Sequence, residues 1–179
     1  MQTEIIIAGF GGQGVLFAGQ LLAYAAMDNG LHVTWFPSYG PEMRGGTANC
    51  TVIISDEEIG SPVIRHPGNV IALNLPSFDK YEPLLKPGGV FIANSSLITK
   101  EPVRKDLKVV SIPANEIAED IADRRLTNMV TLGALLACSP VLPLEAIERA
   151  LEDHLPERHR HLLTANSKAL RQGAALARQ

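Results

Sequence analysis

Near the start of the chain, three β-branched apolar residues, Ile5 to Ile7, follow one another without alternating polar residues. Such a run is too short for a helix and is apolar on both faces, as expected for a strand in a parallel sheet covered on two sides. Behind it, apolar residues recur with helical spacing from Val15 to Ala26, and Asn29-Gly30 is a typical helix end. The pattern predicts a central strand, a glycine turn and a helix.

Shorter segments rich in β-branched and apolar residues predict the other strands. The first of them, residues 31–36, is expected beside the opening strand, joined to it by a right-handed crossover. Residues 37–46 contain two prolines and show no period, so we interpret them as a loop. The remaining strands are predicted at residues 47–55, 69–74, 89–94 and 107–112, the last as an edge or late strand.

Helical patterns fill the rest of the chain and dominate its C-terminal third. They predict helices at residues 78–85, 114–123, 128–137, 144–152 and 156–177, of which the third is apolar nearly all round and therefore buried. The whole predicts a single α/β domain over residues 1–179: a Rossmann-like, mostly parallel sheet with helices on both faces. In such folds ligands bind at the carboxyl ends of the strands, where the glycine turn and residues 38–46 would lie.

Composition narrows the classes of partner. Hydrophobic residues make up 46% of the 179, enough for a sizeable core, and a net charge of -3 without blocks of like charge removes any argument for a nucleic-acid surface. Neither a basic leader nor an apolar run near the roughly 18 residues of a membrane span is visible, so we expect a cytoplasmic protein. Cys50 and Cys138 are too few for a disulfide framework, an iron–sulfur cluster or a structural zinc site.

The glycine turn is the first candidate site. Gly9, Gly11 and Gly14 fall in Gly-x-Gly-x-x-Gly register, with Gly12 and Gln13 between the last two. Such a turn can aim backbone N–H groups and the positive end of a helix dipole at one point, where it would hold a phosphate or another anion. The same glycines can also serve only a tight turn and close helix–sheet packing. Both interpretations remain open from the sequence.

Two nucleotide-binding classes lack a part of their pattern. A nicotinamide or flavin site needs an acidic residue at the end of the second strand to bind the ribose, but Asp28 comes too early and Glu42 lies in the following loop. A methyltransferase is suggested by Lys86-Pro87-Gly88-Gly89, yet it would need the same missing carboxylate. Any helix-to-strand turn would favour Pro-Gly-Gly, so we interpret the segment as a turn.

The histidines do not predict a metal or catalytic site. His154, His159 and His161 have a spacing that does not place all three on one helical face, so a solvated surface is the favoured interpretation. The isolated His32 and His66 are expected to be packed or surface residues. No nucleophile motif is present, and the sequence assigns neither a catalytic residue nor a metal ligand.

The loop Tyr39-Gly40-Pro41-Glu42-Met43-Arg44-Gly45-Gly46 is the second candidate site, since it gathers diverse side chains at the expected functional edge. Together with the glycine turn, it resembles the gamma subunit of 2-oxoacid:ferredoxin oxidoreductases. The similarity continues through Asn128 to Ala134 and Asn166 to Gly173. The form Ser-Tyr-Gly-Pro-Glu-x-Arg-Gly-Gly is more similar to the 2-oxoglutarate and branched-chain 2-oxoacid enzymes than to the pyruvate enzyme, and the choice between those two stays open.

The resemblance implies an accessory role. In that family the complex decarboxylates a 2-oxoacid on magnesium-bound thiamine diphosphate, reduces ferredoxin through iron–sulfur clusters and forms acyl-coenzyme A. This chain has no Gly-Asp-Gly segment for the diphosphate and only two cysteines, so we expect it to bind none of these cofactors alone and to be inactive in isolation. The implied partners are alpha, beta and, in some complexes, delta subunits, with ferredoxin reached through the complex.

The resemblance also gives the two motifs a place in the complex. The glycine turn (Gly9, Gly11, Gly12, Gln13, Gly14) would line part of the substrate or coenzyme A approach. The loop residues Tyr39, Gly40, Pro41, Glu42, Arg44, Gly45 and Gly46 would contact substrate or a partner subunit. Arg44 can brace the loop through Glu42 or clamp an anion, and both roles stay open. Apolar side chains around the loop predict that the isolated chain can pair with itself.

Overall fold

The computed structural model describes residues 1–39 and 47–178. Within them, six strands form one sheet: β1 Gln2–Phe10, β2 His32–Tyr39, β3 Thr47–Ser55, β4 Asn69–Ala72, β5 Val90–Asn94 and β6 Lys108–Ile112. The α-helices are α1 Val15–Asp28, α2 Leu75–Tyr81, α3 Ala114–Ile121, α4 Thr127–Cys138, α5 Leu144–His154 and α6 Leu163–Leu176. The predicted α/β class is confirmed, and no helix in these ranges is long and apolar enough to cross a membrane.

The order of the strands differs from the prediction. The sheet runs β2-β3-β1-β4-β5-β6, so β1 is an inner strand as predicted, but β2 is not its neighbour. Strand β3 lies between them and pairs antiparallel with both, while β4, β5 and β6 continue parallel to β1. The predicted crossover from β1 to an adjacent β2 is therefore wrong. Strand β3 returns antiparallel beside β2, and its other edge pairs with β1 along the full length of β1.

Strand β2 is longer than predicted because it is an edge strand. It continues to Tyr39 and includes Pro37 and Ser38, which we assigned to the loop. Proline cannot donate a backbone hydrogen bond, but an edge strand needs only one bonded side, so Pro37 can stay in register opposite Cys50.

One face of the sheet, which we call the helical face, is covered by α1 and by α3 to α6. Helices α4 and α6 meet there at two glycines: a Cβ on Gly133 would collide with the backbone oxygen of Leu170, and one on Gly173 with that of Val130. The glycines thus let two helix backbones touch. Helix α4 is buried nearly all round, as predicted.

The other face carries a smaller core beneath α2 and a following 3₁₀ turn. Phe78 of α2 stacks on Phe91 of β5 with ring centroids 4.8 Å apart. This cover lies over β1, β4, β5 and β6 and leaves the outward side chains of β2 without a helix above them. Helices do lie on both faces, as predicted, but very unequally.

Two predicted helices have different bounds. Helix α2 begins at Leu75 and not at Phe78, because Asn74 caps it by accepting a hydrogen bond from the Ser77 N–H (2.9 Å). The predicted helix 156–177 is divided into a 3₁₀ segment, residues 157–162, and α6.

Candidate functional site

The candidate site lies at the carboxyl edge of the parallel strands. Thr47, the first residue of β3, pairs with Phe10 at the end of β1, and Tyr39 at the end of β2 pairs with Ala48. The Thr47 end of the second candidate loop therefore lies beside the end of β1, and the Tyr39 end lies one strand further along the same edge. Of its residues, Tyr39 ends β2, while Gly40, Pro41, Glu42, Arg44, Gly45 and Gly46 lie outside the described residues.

The glycine turn adopts a conformation that demands glycine at two positions. Gly12 and Gly14 have φ angles of 93° and 72°, in the left-handed region, and Gly14 is the N-cap of α1. Gly11 and Gly12 are exposed, whereas Gly9 is buried. Within the glycine turn, Gly11 and Gly12 are thus the residues whose backbone is exposed to a ligand.

The side chain of Gln13 fills the space inside the turn. Its Oε1 accepts a hydrogen bond from the Phe10 N–H (2.6 Å), and its Nε2 donates to the Leu73 carbonyl oxygen (3.4 Å). A Cβ on Gly9 would lie only 2.6 Å from this Oε1. The amide oxygen therefore supplies the partial negative charge that a bound anion would otherwise offer to this N–H. This geometry favours the packing interpretation of Gly9.

Asn128 joins the turn to helix α4. Its Nδ2 donates to the Gly14 carbonyl oxygen (3.1 Å), and its Oδ1 accepts from the Met129 N–H (2.9 Å). The side chain occupies the place that a Cβ on Gly14 would need. The asparagine of the family motif therefore holds the N-terminus of α1 against that of α4.

A chain of buried amides, which the sequence did not reveal, extends this connection. Asn94 at the end of β5 donates to the Leu73 carbonyl oxygen (3.3 Å), which Gln13 also contacts, and to Asn115 Oδ1 (3.1 Å). The Thr127 hydroxyl, one residue before Asn128, donates to the same Asn115 oxygen (3.1 Å). The turn is thereby fixed from both sides by satisfied polar groups.

A cavity of about 280 Å³ opens beside the turn. Apolar side chains such as Phe17, Leu126 and Leu162 form much of its wall, together with the buried amides of Asn128 and Asn166. A mainly apolar cavity with a few fixed polar groups is the usual form of a small-molecule site.

Arg125 also lines this cavity but is already paired. Its Nη2 lies 3.0 Å from Asp123 Oδ2, and this hydrogen bond holds the pKa of the Asp123 carboxyl below its usual value. The pair is exposed, and the Asp123 carboxylate offsets the charge of the Arg125 guanidinium, so the cavity does not offer a strong cationic site.

The three clustered histidines occupy separate environments. His154 and His161 are exposed, as the solvated-surface interpretation predicts, but His154 Nε2 also contacts Asp28 Oδ2 (2.8 Å) and its ring stacks on Tyr24. His159 is half-buried and lines the cavity. In the part of the chain that the structure describes, no group of three or more His, Cys, Asp or Glu side chains is placed to hold a metal ion.

The environment of Cys50 does not fit an iron–sulfur cluster. Cys50 is buried against the Val15 carbonyl oxygen (3.5 Å), and burial raises the pKa of its thiol to about 12, so the thiolate that a cluster requires is strongly disfavoured. Cys138 lies on α4 near the Ala177 carbonyl oxygen (3.8 Å).

Comparison with known proteins gives a consistent picture. The sequence profile of a family described as pyruvate ferredoxin/flavodoxin oxidoreductase matches residues 4–176. The 2-oxoglutarate synthase subunit KorC of Methanocaldococcus jannaschii is 36% identical over 88% of this chain and 86% of its own length. The ketoisovalerate oxidoreductase subunit VorA of Methanothermobacter marburgensis is also 36% identical, over 99% of this chain, but this chain spans only 37% of VorA.

A solved structure agrees with these sequence relationships. The keto/oxoacid ferredoxin oxidoreductase gamma subunit of Geobacter sulfurreducens superimposes with a TM-score of 0.87 at 34% identity. The alignment covers 99% of this chain and 97% of that subunit.

Proposed function

The chain belongs to the pyruvate ferredoxin/flavodoxin oxidoreductase family, and from this membership we propose that it is the accessory gamma subunit of a thiamine-dependent 2-oxoacid:ferredoxin oxidoreductase complex. The complex would convert a 2-oxoacid and coenzyme A to acyl-coenzyme A and CO₂ while reducing ferredoxin in the cytoplasm. The observation that carries the proposal is the end-to-end correspondence with a gamma subunit of known structure.

The proposed role is structural because the chemistry belongs to other subunits. Thiamine diphosphate with magnesium would supply the decarboxylation and iron–sulfur clusters the electron transfer, both bound by the alpha, beta or delta subunits. The buried Cys50 thiol and the internally filled glycine turn support an accessory role for this chain. The isolated chain would accordingly be inactive.

For the substrate we propose 2-oxoglutarate. The similarity to KorC supports it, and the form of the loop before β3 is consistent with it. The similarity to VorA favours ketoisovalerate as the second candidate. Both compounds are 2-oxoacids, so the accessory role is the same in either case.

The exposed part of the glycine turn and the neighbouring cavity are proposed to line the approach of coenzyme A or the 2-oxoacid. Gly11 and Gly12 offer free backbone groups, and the cavity wall offers apolar surface with the Asn128 and Asn166 amides. Residues 40–46 connect Tyr39 and Thr47, which lie at this edge of the sheet, and are proposed to complete this boundary or to contact a partner subunit.

The alternative, a stand-alone dinucleotide-binding enzyme, is disfavoured by the strand order. Such enzymes bind the ribose with a carboxylate at the end of the strand adjacent to the first. Here β3 occupies that position, so the end of β2 lies two strand spacings, or roughly 10 Å, from β1. A carboxylate after β2 would be displaced from the ribose by the width of one strand.

Purification of the tagged chain from its own source tests the proposal. We expect thiamine-binding and iron–sulfur subunits to co-purify and the preparation to reduce ferredoxin only with coenzyme A and a 2-oxoacid. Comparing 2-oxoglutarate, ketoisovalerate and pyruvate would identify the substrate. A chain that purifies alone and binds NAD, NADP or FAD with a micromolar dissociation constant would overturn the proposal in favour of the alternative.

A further inference from the structure

On the side opposite the helical face, the sheet has a patch of side chains above which no helix lies in residues 1–39 and 47–178. The patch consists of Phe36 and Ser38 of β2 with Asn49 and Thr51 of β3, and we call it the open face. Phe36 lies directly opposite Thr51 and Ser38 opposite Asn49, so these side chains form one continuous surface. Every one of these residues is half-buried or exposed.

The open face is apolar or hydroxylic and carries no charge. Phe36 is 60% exposed, although an aromatic side chain usually buries a large apolar area. Val63 is a second exposed apolar residue (77%), in a neighbouring groove whose wall includes the buried Ile53 of β3. An uncharged surface with a central aromatic residue has the composition of a protein interface core.

The comparisons indicate what covers such a surface. In VorA this domain is joined to a longer polypeptide, whereas KorC corresponds to the domain over most of its length. A domain that occurs in both forms needs a surface that recognises the rest of the assembly without a covalent link. The helical face of the sheet is covered by the chain's own helices, whereas the open face has no described helix above it, so on this face another polypeptide can contact the sheet directly.

We propose that the open face docks the partner polypeptide that corresponds to the remainder of a VorA-type chain, with Phe36 inserted into an apolar pocket of that partner. This inference rests on the proposed function, because it requires that the chain is a subunit. Docking there would bring the partner to the strand that leads into residues 40–46 at the carboxyl edge. The same contact would therefore place the partner beside the glycine turn.

The test compares two lysine substitutions at similarly exposed apolar residues. Phe36→Lys alters the open face, and Met27→Lys, at a methionine that is 58% exposed at the end of α1, is the control. Lysine is well tolerated on edge strands and at helix C-termini, so both variants should fold. The partner, identified by mass spectrometry in complexes isolated from the source, is purified and its dissociation constant for each chain is measured by biolayer interferometry.

We expect Phe36→Lys to weaken partner binding at least tenfold, Phe36→Tyr to retain it, and Met27→Lys to bind as the wild type does. Equal binding by Phe36→Lys and wild type would overturn the docking assignment and leave the proposed function intact. A wild-type chain that binds no oxidoreductase subunit would overturn both. If Phe36→Lys instead abolishes a wild-type homodimer seen by light scattering while partner binding is unchanged, the open face belongs to a second copy and the proposal is wrong.

Discussion

The helical face and the open face, the patch on the other side of the sheet that α2 does not cover, are built in opposite ways. On the helical face, backbones approach until glycine is required, and polar groups such as Asn94 are satisfied internally. On the open face, the aromatic ring of Phe36 projects from an edge strand and hydroxyl and amide side chains surround it. The difference indicates that the helical face determines the stability of the chain, while the open face is free to serve an interaction.

The largest loss of stability is expected when a methyl group is added at the contact of α4 with α6. In Gly133→Ala the Cβ would collide with the Leu170 backbone oxygen, which cannot move without separating the helices. We expect a loss of about 3 kcal/mol in the free energy of unfolding, measured by urea denaturation. Gly60→Ala is the control, since no atom lies within 4 Å of the added group. Equal stability of the two variants would refute the helix-contact account.

A smaller loss is expected from Asn94→Ala. The substitution leaves the Ala114 and Ser96 N–H groups and the Leu73 carbonyl oxygen without this partner, at a cost of about 2 kcal/mol. Asn49→Ala on the open face removes an asparagine that is only half-buried and should change stability by less than about 0.5 kcal/mol. Thermal unfolding of both variants makes the comparison, and similar losses would show that the faces do not differ in this respect.

Gln13→Ala tests the glycine turn at the carboxyl edge of the sheet, between the helical face and the open face. Removing the amide should cost about 1 kcal/mol, because the Phe10 N–H loses its bond to Gln13 and the Leu73 carbonyl oxygen keeps only the donor from Asn94. If Gln13 stands in for an anion, inorganic phosphate should raise the melting temperature of the variant more than that of the wild type. An identical response of the two proteins to phosphate would exclude that function for Gln13.

The smallest effect on stability is expected from Phe36→Lys itself. Since Phe36 is mostly exposed in the free chain, its replacement should change the free energy of unfolding by less than about 0.5 kcal/mol. Urea denaturation of the isolated chain measures this. A loss above about 2 kcal/mol would mean that Phe36 belongs to the core and not to an interaction surface.

The first strand, turn and helix could be predicted because their signals are local. The β-branched run, the glycine register and the Asn29-Gly30 stop all act within a few residues of the elements that they define. The neighbour of β1 could not be predicted in this way, because strand order depends on competition between distant segments. Alternation of Cys50 and Val52 with Asn49 and Thr51 was nevertheless a usable signal, since it is typical of an antiparallel strand with one open side.

The candidate site was predictable in its position but not in its interior. The edge followed from the α/β pattern, and Thr47, the residue after the loop of residues 40–46, pairs with Phe10 at the end of β1. The amide chain from Asn94 through Asn115 to Thr127 joins residues that are separated in sequence, and an isolated asparagine gives no sign of its partner. The filling of the turn by Gln13 likewise depends on a side-chain conformation that spacing does not encode.

The glycine contact between α4 and α6 has a consequence for how the chain is made. Helix α4 is apolar nearly all round, and its outer side is covered only when α6 arrives from the end of the sequence. At about 5–20 residues per second, synthesis of the stretch from Cys138 to Leu176 takes roughly 2 to 8 s. During that interval the side of α4 that α6 covers has no partner within the chain, so the packing of this helix is completed only after α6 has been made.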